Sequence, residues 1–378
     1  MSKKAKKKIL WKNYAAVAFC IMIGAICGVM IGSNESFMED LSFFSMVWLF
    51  LGMYAAITVQ TIIHEGGHLL FGLLTGYRFA SFRIFQFMWI KDGGQIRLKR
   101  FSLAGTGGQC LLNPPEMKNG KIPYVLYHMG GAILNVVTSV VFLWISFRYQ
   151  EAKVLSVAML ILGLMGILLA ILNGVPLKVG MINNDGYNTL ELSRDPEALH
   201  AFWVQMKVNE LTTEGLRIKD MPEEWFVVAD DEKVKNSIVA VLRVLFCNRL
   251  MDAHLFEKAD AEIKQLLDRK SGIVGLHRSL LVLDRIYLEL IGENRREILD
   301  KMLTKEIQQL MKRMKNYPSV IRIQYAYALL GEHNPEKAEK LKKLFENIAK
   351  TYPYPSELQS ERELMGIAEE KFLKNSME

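Results

Sequence analysis

The chain has 378 residues, room for two or three domains, and its apolar residues are spread unevenly: several long apolar runs fall in residues 1–186 and none in 187–378. The net charge of +7 does not indicate a nucleic-acid surface, because six lysines sit in the first twelve residues, "MSKKAKKKILWK", and the remainder is close to neutral. The four cysteines, Cys20, Cys27, Cys110 and Cys247, contain no CxxC pair and are expected to stay reduced; nothing further supports Cys110 as a nucleophile.

Tyr14–Gly32 is the first candidate span. Its basic start would suit a signal peptide, but no small-residue cleavage site follows and the stretch is too long, so a retained span is expected. Leu41–Tyr77 is longer than one straight crossing needs and must tilt, kink or extend beyond the bilayer. Two more runs follow at Ile122–Phe147 and Val154–Leu172, which gives an all-α polytopic fold of about four spans. Between the second and third, residues 79–103 alternate aromatic and β-branched residues with polar ones around "DGG", which predicts a small β-hairpin turning at Asp92–Gly94. "GTGGQC" at 105–110 lacks the end of a P-loop and reads as a flexible turn. The loop at 33–40 carries three acids and no base, whereas residues 78–121 carry eight Lys/Arg and two acids. Positive residues stay inside, so both termini and residues 78–121 are expected in the cytoplasm, in a bacterial cell membrane, with the second and fourth spans parallel.

Residues 61–72 read "TIIHEGGHLLFG". His64 and His68 are four apart, on one helix face, and two imidazoles so placed can reach one zinc ion at about 2.0–2.1 Å. Glu65 can act on a water there without binding the metal, taking its proton and passing it to a leaving amine. A polar cluster packed between helices is the plainer alternative. Within a span it is weaker, because ionisable groups there need water, a partner or a metal. Gly66 and Gly67 are expected to keep the space between the two rings free of bulk.

Catalytic zinc takes three protein ligands and leaves one position open. The fourth span ends in "NGVPLKVGMINNDG", where Pro176 breaks the helix and Asp185 is the only carboxylate between Lys153 and Gly186. Topology puts it on the same side as His64 and His68, as third ligand rather than an ordinary turn residue. In "HMGGAILNVV", Gly130 and Gly131 let the third span approach a neighbour, and Asn135 either holds a helix contact or donates to an oxyanion. His128 has no ligand-spaced partner and is read as structural or as a support to the site.

"HEGGH" in one span, "GGAILN" in the next and "NGVP…NNDG" ending the last resemble the site-2 protease family of zinc intramembrane metalloproteases, over roughly residues 41–190. The resemblance implies one zinc ion on His64, His68 and Asp185, Glu65 as the catalytic base, and cleavage of membrane-spanning or membrane-anchored proteins or peptide precursors. It also implies that the hairpin could hold substrate by strand addition. The chain departs from the family in having Gly131–Ala132 where Gly-Pro is common, and in lacking a recognisable PDZ domain or CBS pair. A rival membrane zinc protease of the prenyl-protein type would take a glutamate as third ligand. A scaffold or transporter with a structural metal site would have no use for Glu65.

Residues 191–378 are expected to form a separate cytosolic domain beside the membrane-embedded residues 1–190. Amphipathic segments at 195–212, 233–250, 254–269, 273–291, 294–316, 319–331, 334–351 and 357–374 predict helices, and 325–353 resembles a tetratricopeptide-type hairpin. That domain would dock a protein partner or simply stabilise the chain. His200, His254, His277 and His333 are assigned to helix surfaces or caps.

Overall fold

The structure is a computed structural model, and it describes residues 43–101, 107–179, 182–228, 231–268 and 271–377. The expected span at 14–32 lies outside the described residues. Two compact units emerge among the described residues, one from 43–75 together with 123–191, the other from 76–122 together with 192 onwards. The sheet segment therefore groups with the C-terminal helices, where an uninterrupted division near residue 190 was expected.

The first unit is built on three helices, α1 (Phe43–Leu74), α2 (Val125–Arg148) and α3 (Lys153–Gly174). Their segments contain no proline; Pro123 precedes α2 and Pro176 follows α3, where a missing backbone donor does no harm. Among the described residues these three are long and apolar enough to cross a membrane. Trp48, Phe50, Tyr54, Trp144 and Phe147 point outward from them. So much exposed aromatic surface would be a liability in water and is solvated in lipid. The chain is a multi-pass membrane protein, with three spans among the described residues.

Small residues set the packing of these helices. A Cβ added at Gly67 would lie 2.3 Å from the Gly130 carbonyl oxygen, so the backbones of α1 and α2 touch there, and alanine at either position would force them apart. Beyond the short connection at 149–152, Ser146 and Ser156 each donate a hydroxyl to the other's carbonyl, at 2.8 and 3.0 Å, and lock α2 to α3. After α3 a short ribbon, Lys178–Val179 paired with Ile182–Asn183, leads into α4 (Asp185–Arg194).

In the second unit a four-stranded antiparallel sheet replaces the expected two-stranded hairpin. Its strands are β1 (Arg78–Ile84), β2 (Phe87–Asp92), β3 (Gln95–Arg100) and β4 (Gly108–Asn113), in the order β3-β2-β1-β4. The turn at Asp92–Gly94 is there: Asp92 pairs with Gln95, and Gly93 and Gly94 both take the positive φ that a tight hairpin turn requires. The correction concerns "GTGGQC", because Gly108–Cys110 belong to β4 and pair with β1 through Ile84, Arg83 and Phe82. Alternation points Met88 and Ile90 inward and leaves Phe87 and Trp89 outside.

Helices α5 (Pro196–Thr213), α6 (Ser237–Asp252), α7 (Phe256–Asp268), α8 (Gly275–Ile291), α9 (Arg296–Met302), α10 (Lys305–Arg313), α11 (Pro318–Ala326), α12 (Pro335–Ala349) and α13 (Pro355–Met377) complete this unit. Asp195, Asn236, Thr304 and Asn334 cap the helices they precede, as short polar side chains do at an N-terminus. Thr304 also divides the expected helix 294–316 in two. Helix lengths run from 7 to 23 residues, and a π-turn at Tyr327–Gly331 ends α11, so the segment is a helical bundle rather than a regular tetratricopeptide array. Trp203 Nε1 donates to Pro115 O at 3.0 Å, and Phe101 sits edge-on to Tyr317, Tyr352 and Tyr354; both contacts tie the sheet segment to the bundle.

Candidate metal centre

His64 and His68 lie in the C-terminal half of α1 and are both buried. Their Nε2 atoms are 3.1 Å apart. Asp185 Oδ2 lies 3.1 Å from His64 Nε2 and 3.4 Å from His68 Nε2. Among the described residues these are the histidine, cysteine and acidic side chains that gather as a metal site would need.

The other nitrogen of each ring explains the convergence. His68 Nδ1 is 2.7 Å from the Tyr127 carbonyl oxygen, which can only accept, so Nδ1 carries the proton. His64 Nδ1 is 2.8 Å from Asn135 Oδ1, and the Asn135 amide nitrogen faces Gln60 O at 3.0 Å and Gln60 Oε1 at 2.7 Å. The Gln60 carbonyl can only accept, so the amide nitrogen must face it, the oxygen faces His64, and that ring too is protonated on Nδ1. Both Nε2 atoms then present lone pairs to each other and to a carboxylate. A proton on one ring could bridge one of these contacts; a cation meets all three donors at once. Two ligands at about 2.0–2.1 Å from a tetrahedral zinc are about 3.3 Å apart, close to the separations found. The donor set fits zinc.

Asp185 is delivered by the chain around it. Asn184 Oδ1 accepts from Leu177 N at 3.0 Å and Tyr187 N at 2.9 Å, and its Nδ2 donates to Leu172 O and Val175 O, both at 2.6 Å. One side chain thus caps the start of α4 and the end of α3, and Asp185 follows it into the site. A Cβ on Gly186 would lie 2.2 Å from Gly174 O, so the two segments approach there with no room for a side chain.

Glu65 is buried beside His64 and outside the trio of donors. Asn135 is fully buried, and both its amide hydrogens are directed at Gln60, which is the helix contact weighed from the sequence beside an oxyanion role. His128 is buried edge-on to Tyr127 and contributes no atom to the trio. The glycines also act differently from expectation. Gly66 has open space around it, whereas Gly131 is required, since a Cβ there would lie 2.5 Å from His64 Cε1. Gln60 and Asn184 were missed. Gln60 was findable as a polar residue one turn before His64 in an apolar run, and Asn184 as a capping residue type just before a helix.

Residues 41–183 match the family model described as Peptidase M50B-like, less than half of the chain. The match takes in His64, Glu65, His68 and Asn135 and stops two residues before Asp185, which the geometry supplies independently. Match and cluster together support a site-2-protease-like zinc metalloprotease family. No curated protein and no solved structure matches the chain.

Proposed function

We propose that the chain is a zinc-dependent endopeptidase that hydrolyses a peptide bond in a membrane-spanning or membrane-anchored protein or peptide precursor. The observation that carries this reading is the convergence of His64 Nε2, His68 Nε2 and Asp185 Oδ2 within 3.4 Å, with Glu65, the residue after His64, buried and left out of the trio. Zinc held by these donors supplies Lewis acidity, making a water easy to deprotonate near neutral pH and polarising a peptide carbonyl. His64 and His68 keep their lone pairs turned inward through the hydrogen bonds on Nδ1. Glu65 takes the proton of the attacking water and delivers it to the leaving amine nitrogen. The surrounding apolar helices exclude bulk water and suit a substrate that itself lies in the bilayer. Strand β3 is an edge of the sheet and is exposed along most of its length; we assign it to holding substrate as an extended strand. The charge pattern supports a cytoplasmic position for both termini.

The test compares membrane-fraction proteomes of cells carrying the chain or its Glu65→Gln variant, with zinc content measured on both purified proteins. Zinc is expected to be retained, while fragments that depend on the wild type fall by about 10²–10⁴-fold, the usual contribution of a positioned base. Undiminished fragments from a zinc-loaded variant would remove Glu65 as the base. Zinc without any fragment from the wild type would favour a scaffold with a structural metal.

A further inference from the structure

Behind His64 a single file of hydrogen bonds crosses all three spans. Gln60 and Asn135 are both fully buried. Gln60 Nε2 donates to the Leu162 carbonyl of α3 at 2.8 Å, and Gln60 Oε1 accepts from Asn135 Nδ2 of α2 at 2.7 Å. Asn135 Oδ1 then accepts from His64 Nδ1 of α1 at 2.8 Å. The Leu162 carbonyl anchors one end, because it can only accept, and from there each amide has one permitted orientation. Room for Gln60 comes from α3: a Cβ on Gly166 would lie 2.5 Å from Gln60 Nε2 and 2.1 Å from Ser139 Oγ.

An asparagine amide can turn over within the same volume. Turned over, Asn135 would present its NH2 to His64 Nδ1, drive the ring proton to Nε2, and remove the lone pair a metal needs. Gln60 opposes that turn by setting its own carbonyl oxygen where the Asn135 oxygen would land. We propose that Gln60 and Asn135 are positioning residues that hold His64 in its metal-binding tautomer, with Gln60 acting only by orienting Asn135. This rests on the metal-site reading above.

The proposal predicts an interaction between two substitutions. Gln60→Met keeps the bulk and loses both polar ends. The backbone carbonyl of residue 60 still anchors Asn135 in that variant, so the expected loss in zinc affinity is about tenfold, at the low end of what outer partners of metal ligands contribute. An aspartate at 135 accepts the His64 Nδ1 proton from either oxygen and has no wrong orientation. Its second oxygen meets the Gln60 side-chain oxygen where the Asn135 amide nitrogen had donated, so in an Asn135→Asp background the same Gln60→Met change is expected to cause no loss of zinc affinity. Gln60→Glu, which burial among the spans keeps as the neutral acid, donates to the Leu162 carbonyl and accepts from Asn135, so it is expected to stay near wild type and gives a second reading if Gln60→Met accumulates poorly.

The experiment titrates zinc against a competing chelator on the detergent-solubilised full-length chain in all five forms, with the thermal midpoint of each zinc-free protein recorded. Equal loss from Gln60→Met in both backgrounds would reduce Gln60 to a packing residue, and no loss in either would end the relay altogether; loss with Gln60→Glu would also count against it. A wild-type chain that binds no zinc would instead overturn the metal reading, and the relay with it, so the two failures are distinguishable.

Discussion

In the helical unit, Arg322 is 2 % exposed, with Nη2 2.7 Å from Asp284 Oδ1, Nε 2.7 Å from Glu361 Oε2, and its guanidinium 4.5 Å above the Tyr287 ring. Arg217 similarly meets Asp252 and Glu363. In the membrane unit, His64, His68 and Asp185 turn acceptor atoms toward one another, and among the described residues no lysine or arginine pairs with them. The first kind of burial sets a guanidinium against carboxylates within the protein. The second is left with a surplus of electron pairs at its centre, and only a cation from outside satisfies it. Buried polarity therefore signals function here through its imbalance, not through its presence.

The comparison can be strained from either side. The largest effect is expected from Arg322→Ala, which leaves Asp284 and Glu361 buried without their cation; denaturant unfolding of the helical unit should show a loss of about 3–5 kcal/mol. An unchanged midpoint would mean that this network does not hold the bundle together. In the membrane unit, Gly131→Ala pushes a methyl group into the His64 ring. A displacement of about 1 Å there should lower hydrolysis about 100-fold, with zinc affinity falling alongside it. Full activity would show that His64 is not held where the geometry puts it.

The smallest effect concerns pH. Burial pushes the Asp252 carboxyl up, but its hydrogen bonds with Arg217, Ser360 and the Lys219 amide outweigh this and hold it below its ordinary value of 3.8. The charged form is thus favoured by folding. Its contribution is complete above 3.8 and is lost as pH falls through the lower folded value. Acid unfolding of the helical unit should therefore lose part of its pH dependence between 3.8 and that lower value in Asp252→Asn; an identical acid limb would contradict the assignment.

Much of the membrane unit was legible in the sequence because lipid imposes simple rules. Long apolar runs became α1, α2 and α3, and the four-residue spacing of His64 and His68 survived as a shared face. Asp185 was legible through topology alone, since its position follows from which way α3 runs. What stayed hidden depended on partners remote in sequence. Gln60 carries no motif of its own; its meaning comes from Asn135 and the Leu162 carbonyl, on two other helices. The role of Asn135 was left divided for the same reason, because an amide in a span announces a need for partners without naming them. In the sheet, "DGG" gave the turn, whereas β4 begins in a glycine-rich stretch whose pairing with β1 no local pattern announces.

The central claim is that three acceptors converge because a metal ion belongs among them. Zinc bound per chain, measured on detergent-purified full-length protein beside His64→Ala, His68→Ala and Asp185→Ala, tests it most directly. The account predicts one ion in the wild type and a large loss in each variant. A wild-type chain without zinc, or variants that retain all of it, would contradict the account.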